Sequence, residues 1–205
     1  MLIGNDFSKI ELVLNGLTIQ EPNVFITDTI MASISLFIAF KLNKIKKNST
    51  FHKYWFFFFL WYGIGAFSGG IGHAMFANWG IYGKFFTWIV GAFSIYFIEI
   101  AMISRLNSDT LKNKLNRIAV MKMIVVYLVF ISILIFGDTE NKPGLPFLPI
   151  AFNTIIGVSL SAGLIARKLY KTVNADYKYF YFGVLIMVPS AIIFLAKINI
   201  HPWFD

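Results

Sequence analysis

The stretch Tyr54–Phe76 joins a run of aromatic residues to a segment with five glycines, and it contains no Asp, Glu, Lys or Arg. A helix rising about 1.5 Å per residue crosses the hydrocarbon core of a bilayer in about 20 apolar residues. Small residues four apart, such as Gly65 and Gly69, let a neighbouring helix approach closely, and Ser68 and Gly72 repeat this spacing. The stretch therefore predicts a transmembrane helix that packs tightly against its neighbours.

Further apolar blocks of spanning length occupy most of the chain. Hydrophobic residues make up 58% of the sequence and charged residues only 14%, whereas a typical soluble domain is about a quarter charged. We predict an all-α, polytopic transmembrane bundle over residues 21–205. Its six spans cover about 23–42, 54–76, 82–104, 118–136, 147–166 and 180–200.

Residues 1–20 precede the first span and are predicted to form a separate amino-terminal cap that lies on the membrane surface. Apolar residues partly alternate on both sides of Asn15-Gly16, a dipeptide typical of tight hairpin turns. The segment therefore favours a small β-hairpin, and a short interfacial helix is the alternative.

The basic residues predict the orientation of the bundle. All but four of the 18 lysines and arginines fall in or beside the loops that follow spans one, three and five; the exceptions are Lys9, Lys84, Lys142 and Lys197. Cytoplasmic loops of membrane proteins carry such an excess, so we expect both termini to lie outside. Because the formal charge of +8 resides in these loops, the expected partner is the lipid bilayer and not nucleic acid.

This orientation brings four polar side chains to one depth on the outer side. Asp28 lies near the start of span one, His73 near the end of span two, and His201 and Asp205 follow span six. Imidazole nitrogens and carboxylate oxygens suit Zn²⁺, so His73, His201 and Asp205 are candidate metal ligands. Ordinary hydrated helix ends are the structural alternative.

Two further polar residues in the spans have a functional and a structural interpretation. Ser68 is a candidate partner of the site, although a helical serine more often bonds to the backbone of its own helix. Glu99 is expected to pair with a basic loop residue or to face water, and a proton relay is the alternative.

Three short stretches resemble a known family. EPNVFITDTIMA before and within span one, GxxxH at the end of span two and HPWFD after span six resemble a family of small bacterial seven-helix membrane proteins of unassigned function. That family is similar to the superfamily of alkaline ceramidases and progestin/adiponectin-type receptors. The resemblance implies a bacterial plasma-membrane protein with seven helices and an outside amino terminus.

The resemblance also implies zinc, bound by a histidine of helix two, which His73 matches, and by a histidine pair of helix seven. Asp28 lies in the ITD element. Gly69 stands where the superfamily serine is expected, one residue after Ser68, and Asp205 is the last residue before the point where the resemblance places a seventh helix. We therefore expect either a seven-helix protein that lacks its last helix or a six-span variant.

The predicted function is metal-dependent hydrolysis of a lipid amide or ester, with Asp28 and Ser68 assisting the metal-bound water. The alternative is a non-enzymatic membrane protein, such as a small transporter, a receptor-like binder or an assembly subunit.

Overall fold

A computed structural model of the chain describes residues 3–4, 9–45, 49–139, 141–142, 144–195 and 198–199. The elements in chain order are β1 (Ile3–Gly4), β2 (Glu11–Leu14), β3 (Leu17–Gln20), α1 (Pro22–Ile45), α2 (Thr50–Ala74), α3 (Phe76–Trp79), α4 (Phe85–Ile103), α5 (Asp109–Phe136), α6 (Phe147–Val158), α7 (Ala166–Thr172), α8 (Lys178–Leu195) and β4 (Ile198–Asn199). A 3₁₀ turn, Gly80–Lys84, joins α3 to α4, and a π-helical segment, Ser159–Ile165, joins α6 to α7.

The fold is all-α, as predicted, apart from short strands. Among the described residues, five helical segments are long and apolar enough to cross a membrane: Pro22–Ile45, Thr50–Ala74, Phe76–Ile103, Asp109–Phe136 and Phe147–Thr172. A sixth long helix, α8, follows them. The chain is therefore a polytopic helical protein of membrane-spanning character.

Most helices extend beyond the predicted spans at the end of the bundle that carries the basic loops. The first helix runs to Ile45, the second begins at Thr50, and α5 begins at Asp109, nine residues before the predicted span. The helical backbone hydrogen bonds continue beyond the end of each apolar block, because lysine and asparagine residues are tolerated in a helix that is exposed to water. The last helix instead ends at Leu195, before the predicted end of span six, and β4 pairs with β1 in parallel.

The amino-terminal segment is the hairpin and not the alternative helix. Glu11 pairs with Gln20, and Leu14 pairs with Leu17. Asn15 and Gly16 both have positive φ angles, 51° and 82°, which a two-residue hairpin turn of this kind requires. The location of the hairpin on a membrane surface stays a prediction.

The glycines of α2 allow two helices to pack against it. A Cβ atom on Gly63 would lie 2.9 Å from Leu36 Cγ of α1, and one on Gly72 would lie 2.6 Å from the Gly83 carbonyl oxygen before α4. The prediction that small residues permit close helix approach is thereby confirmed. Helix α4 is the centre of the bundle, because it packs against α2, α5 and α6.

One ion pair lies in this centre. Glu99 of α4 is 5% exposed, and its Oε1 lies 2.9 Å from Lys122 Nζ of α5. Glu99 therefore pairs with a residue of the neighbouring helix, not with one of the adjoining loop. A Cβ atom on Gly157 would lie 3.1 Å from Lys122 Nζ, so the pair also packs against α6.

Candidate functional site

The candidate site lies at the end of the bundle where the hairpin, the start of α1, the end of α2 and the start of α4 meet, which we call the hairpin end. The hairpin is attached there by Asn78 Nδ2, which donates to the Thr18 carbonyl oxygen at 2.9 Å. The Glu21 amide also donates to the Ile10 carbonyl oxygen at 2.9 Å. These bonds hold the segment around Glu21 over the end of α2.

Glu21 and His73 form the central pair of the site. A Glu21 carboxylate oxygen, Oε2, contacts His73 Nδ1, and the other, Oε1, lies 2.6 Å from Lys9 Nζ. The Glu21 side chain is 13% exposed and that of His73 is 32% exposed. The carboxylate is thus enclosed, while the imidazole remains accessible.

The backbone of Glu21 contributes to this arrangement. Its φ angle of 48° lies in the left-handed region, which costs a residue other than glycine about 1 kcal/mol. Such conformations persist where the surrounding structure holds them, often at functional sites. Here the turn of the chain between β3 and Pro22 directs the carboxylate toward His73.

Two lysines lie next to the pair. Lys84 Nζ lies 3.4 Å from His73 Nδ1. Both ammonium groups lie near the Phe76 ring, Lys9 Nζ at 5.2 Å and Lys84 Nζ at 5.0 Å from its centroid. The two ammonium groups thus lie close to the central pair.

Asp28 packs against the glycine face of α2. A Cβ atom on Gly69 would lie 3.4 Å from Asp28 Oδ2, and one on Gly70 would lie 3.0 Å from Asp28 Cβ. Asp28 interacts electrostatically with His73, Lys84 and Tyr62. The structure therefore brings Asp28 into the neighbourhood of His73.

Ser68 has a local role in the structure, and two other predicted residues fall outside the described part. The Ser68 hydroxyl donates to the Gly65 carbonyl oxygen of its own helix at 2.9 Å. Thr87 Oγ1 of α4 donates to the same oxygen at 2.7 Å. His201 and Asp205 lie outside the described residues. Within the described ranges, no three His, Asp or Glu side chains group as metal ligands.

Glu21, Lys9 and Lys84 are members of the site that the sequence interpretation did not single out. Glu21 lies seven residues before Asp28, at the same end of span one, and the depth argument applied to Asp28 extends to it. No pattern in the sequence predicts the contact of Lys9 with Glu21, because this contact depends on how the hairpin folds.

We expect the Glu21 carboxylate to make folding stability depend on pH. Burial raises the pKa of Glu21, but hydrogen bonds and charge from His73 and Lys9 outweigh it and lower the pKa from 4.5 to about 2. The ionised form is therefore favoured by folding, so its contribution is complete above pH 4.5 and is lost as the pH falls toward 2. That contribution is at most roughly 3 kcal/mol.

Unfolding measured in detergent micelles across this pH range tests the expectation. Glu21→Gln should reduce the loss of folding stability at low pH. Glu11→Gln should leave that loss unchanged, because Glu11 accepts from Gln20 and not from His73. If Glu21→Gln lost stability at low pH as the wild type does, Glu21 would not be the group responsible.

The fold and this site define a polytopic helical protein of membrane-spanning character with a partly buried carboxylate–histidine pair at one end. A family of unknown function, DUF6962, matches residues 23–205, and the chain belongs to that family. No curated protein and no solved structure matches the chain.

Proposed function

We propose that the protein hydrolyses a lipid amide or ester at the hairpin end, with His73 as its central residue. The single observation that carries the proposal is the contact between Glu21 and His73 Nδ1. An ionised carboxylate only accepts hydrogen bonds, so Nδ1 must carry a proton. In the neutral imidazole the lone pair is then on Nε2, which accepts no hydrogen bond from any described residue. This is the orientation that a metal ligand requires.

The donor set supports zinc in part. Histidines that bind a metal through one nitrogen commonly donate the other N–H to a carboxylate, as His73 does to Glu21. Asp28 supplies a nearby carboxylate to assist the metal-bound water, and His201 and Asp205 remain the proposed further ligands. Bound zinc would supply a water molecule of lowered pKa.

The side chains of this site would act on the carbonyl group of the lipid. The oxygen of water would add to the carbonyl carbon, and the Asp28 carboxylate would take a proton from that water. The developing negative charge on the carbonyl oxygen is stabilised by the ammonium group of Lys84. The bond to the leaving nitrogen or oxygen would then break, and the proton would pass from Asp28 to the leaving group.

We infer that this end of the bundle faces the outside of a bacterial plasma membrane. The basic loops lie at the opposite end, and the positive-inside rule assigns that end to the cytoplasm. A lipid of the outer leaflet would reach the site laterally, since helix termini lie at the level of the headgroups.

Hydrolysis by the purified protein tests the proposal. The full chain in micelles should release product from a short-chain N-acyl or ester lipid, with about one zinc ion bound per chain. His73→Ala should lose both the metal and the activity. Glu21→Gln should lower turnover by about 10²-fold or more, because the histidine loses the carboxylate that orients it.

The matched control is Tyr82→Ala, which removes an exposed ring at the same end of the bundle and should leave both readouts unchanged. Folded wild-type protein that holds no metal and releases no product would overturn the proposal and favour a non-enzymatic membrane protein.

A further inference from the structure

A separate cavity of about 300 Å³ opens at the basic end of the bundle, which carries the loops after α1, α4 and α7. Its walls come from the start of α2, the loop after α4 and the turn before α8, and they include Phe51, His52, Arg105, Tyr177 and Phe180. The hairpin-end site includes none of these residues. The cavity therefore needs its own explanation.

Arg105 is held in a fixed position on the wall of this cavity. Its Nε donates to Tyr177 Oη at 2.9 Å, and its guanidinium carbon lies 5.9 Å from the centre of the Phe51 ring. Tyr177 is itself only 8% exposed, so its hydroxyl is a rigid anchor. Among the described residues, no side chain bonds to the two terminal nitrogens of Arg105. The guanidinium thus presents a pre-ordered pair of donors.

Aromatic rings form the floor of the cavity. The Phe51 ring meets those of Tyr177 and Phe180 edge to face, with centroids 6.1 and 6.2 Å apart. Below them, Trp55 stacks on Phe180 at 5.0 Å. Such a floor accepts an apolar group next to the charge of Arg105.

Two ionisable side chains complete the wall. His52 Nδ1 lies 2.8 Å from Ser49 Oγ, which leaves Nε2 as the nitrogen that can serve a ligand. Asp176 is exposed, so water and salt screen its negative charge. The cavity thus combines a fixed arginine, a histidine and an apolar floor.

We propose that this cavity binds a phosphate group, as carried by an anionic phospholipid headgroup or by a soluble phosphate compound. A guanidinium fork matches phosphate oxygens in a bidentate manner. Clustered basic residues beside transmembrane helices favour anionic lipids of the adjacent leaflet. The aromatic floor would accommodate the first methylene groups of a lipid acyl chain.

Thermal unfolding of the full chain in uncharged micelles tests the site, with dioctanoyl phosphatidic acid as the probe. Saturating probe should raise the Tm by about 5 °C, since a ligand that binds only the folded state stabilises it. Arg105→Gln should abolish the shift. Arg105→Lys keeps the charge but loses the fork, so the apparent affinity should fall about tenfold.

Tyr177→Phe tests whether binding requires that Arg105 be held in place by the Tyr177 hydroxyl. This variant removes only the hydroxyl that holds Nε and should weaken binding several-fold. If Arg105→Gln does not fold, the binding measured with Tyr177→Phe tests the proposal in its place. The matched control is Lys53→Gln, which removes an exposed positive charge next to His52 and should leave the shift intact.

Two further probes identify the source of the phosphate. Inorganic phosphate that reproduces an Arg105-dependent shift supports a soluble ligand, whereas a shift with the lipid alone supports a headgroup. An equal shift with dioctanoylglycerol, which lacks phosphate, would overturn the proposal. Equal losses in Lys53→Gln and Arg105→Gln, or no shift with either phosphate probe, would also overturn it.

Discussion

Replacing Lys122 by methionine is expected to lower the free energy of unfolding by about 3–5 kcal/mol, because it leaves the carboxylate of Glu99 buried without its cation. The pair is well enclosed, with side-chain exposures of 17% for Lys122 and 7% for Glu99. Glu99 Oε2 has no hydrogen-bond partner among the described residues, so Lys122 supplies the main compensation for its charge. Unfolding in micelles followed by circular dichroism measures the loss.

A double variant separates the cost of an unpaired charge from the loss of packing. Glu99→Leu together with Lys122→Met should recover most of the stability, since a buried ion pair can be replaced by apolar side chains at little net cost. Lys114→Met is the matched control: it makes the same substitution at an exposed position of α5 and should change stability by less than about 0.5 kcal/mol. Equal effects at Lys114 and Lys122 would refute this interpretation.

Gly72→Ala is expected to destabilise the protein by about 3 kcal/mol and to separate α2 from the start of α4. A Cβ atom at Gly72 would lie 2.6 Å from the Gly83 carbonyl oxygen and 3.0 Å from its carbonyl carbon. Both atoms belong to the backbone, so no side chain can rotate away to make room. Overpacking of this kind typically costs about 1–3 kcal/mol, and a backbone clash is at the upper end.

Gly91→Ala is the control for this prediction. Nothing lies within 4 Å of a Cβ atom at Gly91, which is also helical. An alanine there should stabilise the protein by about 0.5–1 kcal/mol, because it reduces the entropy of the unfolded chain. If Gly72→Ala were as stable as Gly91→Ala, the close packing of α2 on α4 would be refuted.

The same clash should disturb the candidate site. Lys84 follows Gly83 directly and lies 3.4 Å from His73 Nδ1, so a displaced α4 would carry the ammonium group away from the imidazole. We therefore expect Gly72→Ala to weaken the proposed hydrolysis even in the fraction of protein that remains folded. The glycines of α2 determine how closely the polar groups of three segments meet.

Much of the helical architecture was predictable from the sequence. Long apolar blocks interrupted by charged loops indicate membrane-length helices, and Asn15-Gly16 indicates the hairpin turn, because both are local properties of the chain. The ends of the helices were less predictable. Hydropathy shows where an apolar block ends, but the backbone hydrogen bonds of α5 extend beyond that block to Asp109.

The candidate site was predictable only in part. The depth argument brought Asp28 and His73 to one end, and the structure places Asp28 within electrostatic range of His73. The partners of His73 were not predictable, since Glu21 resembles an ordinary loop residue before the helix that begins at Pro22. Likewise Glu99 was expected to pair with a basic loop residue or to face water, but its cation is Lys122 from the middle of α5.

The sequence by itself determined that the chain forms apolar helices, which glycines allow to pack closely, and that its positive charge collects at one end, because these features follow from residue type and spacing along the chain. Only the tertiary structure decided which side chains meet: Lys9 with Glu21, Glu21 with His73, and Arg105 with Tyr177. These contacts join residues far apart in the chain, and their geometry depends on the hairpin, the glycine face and the helix crossings together.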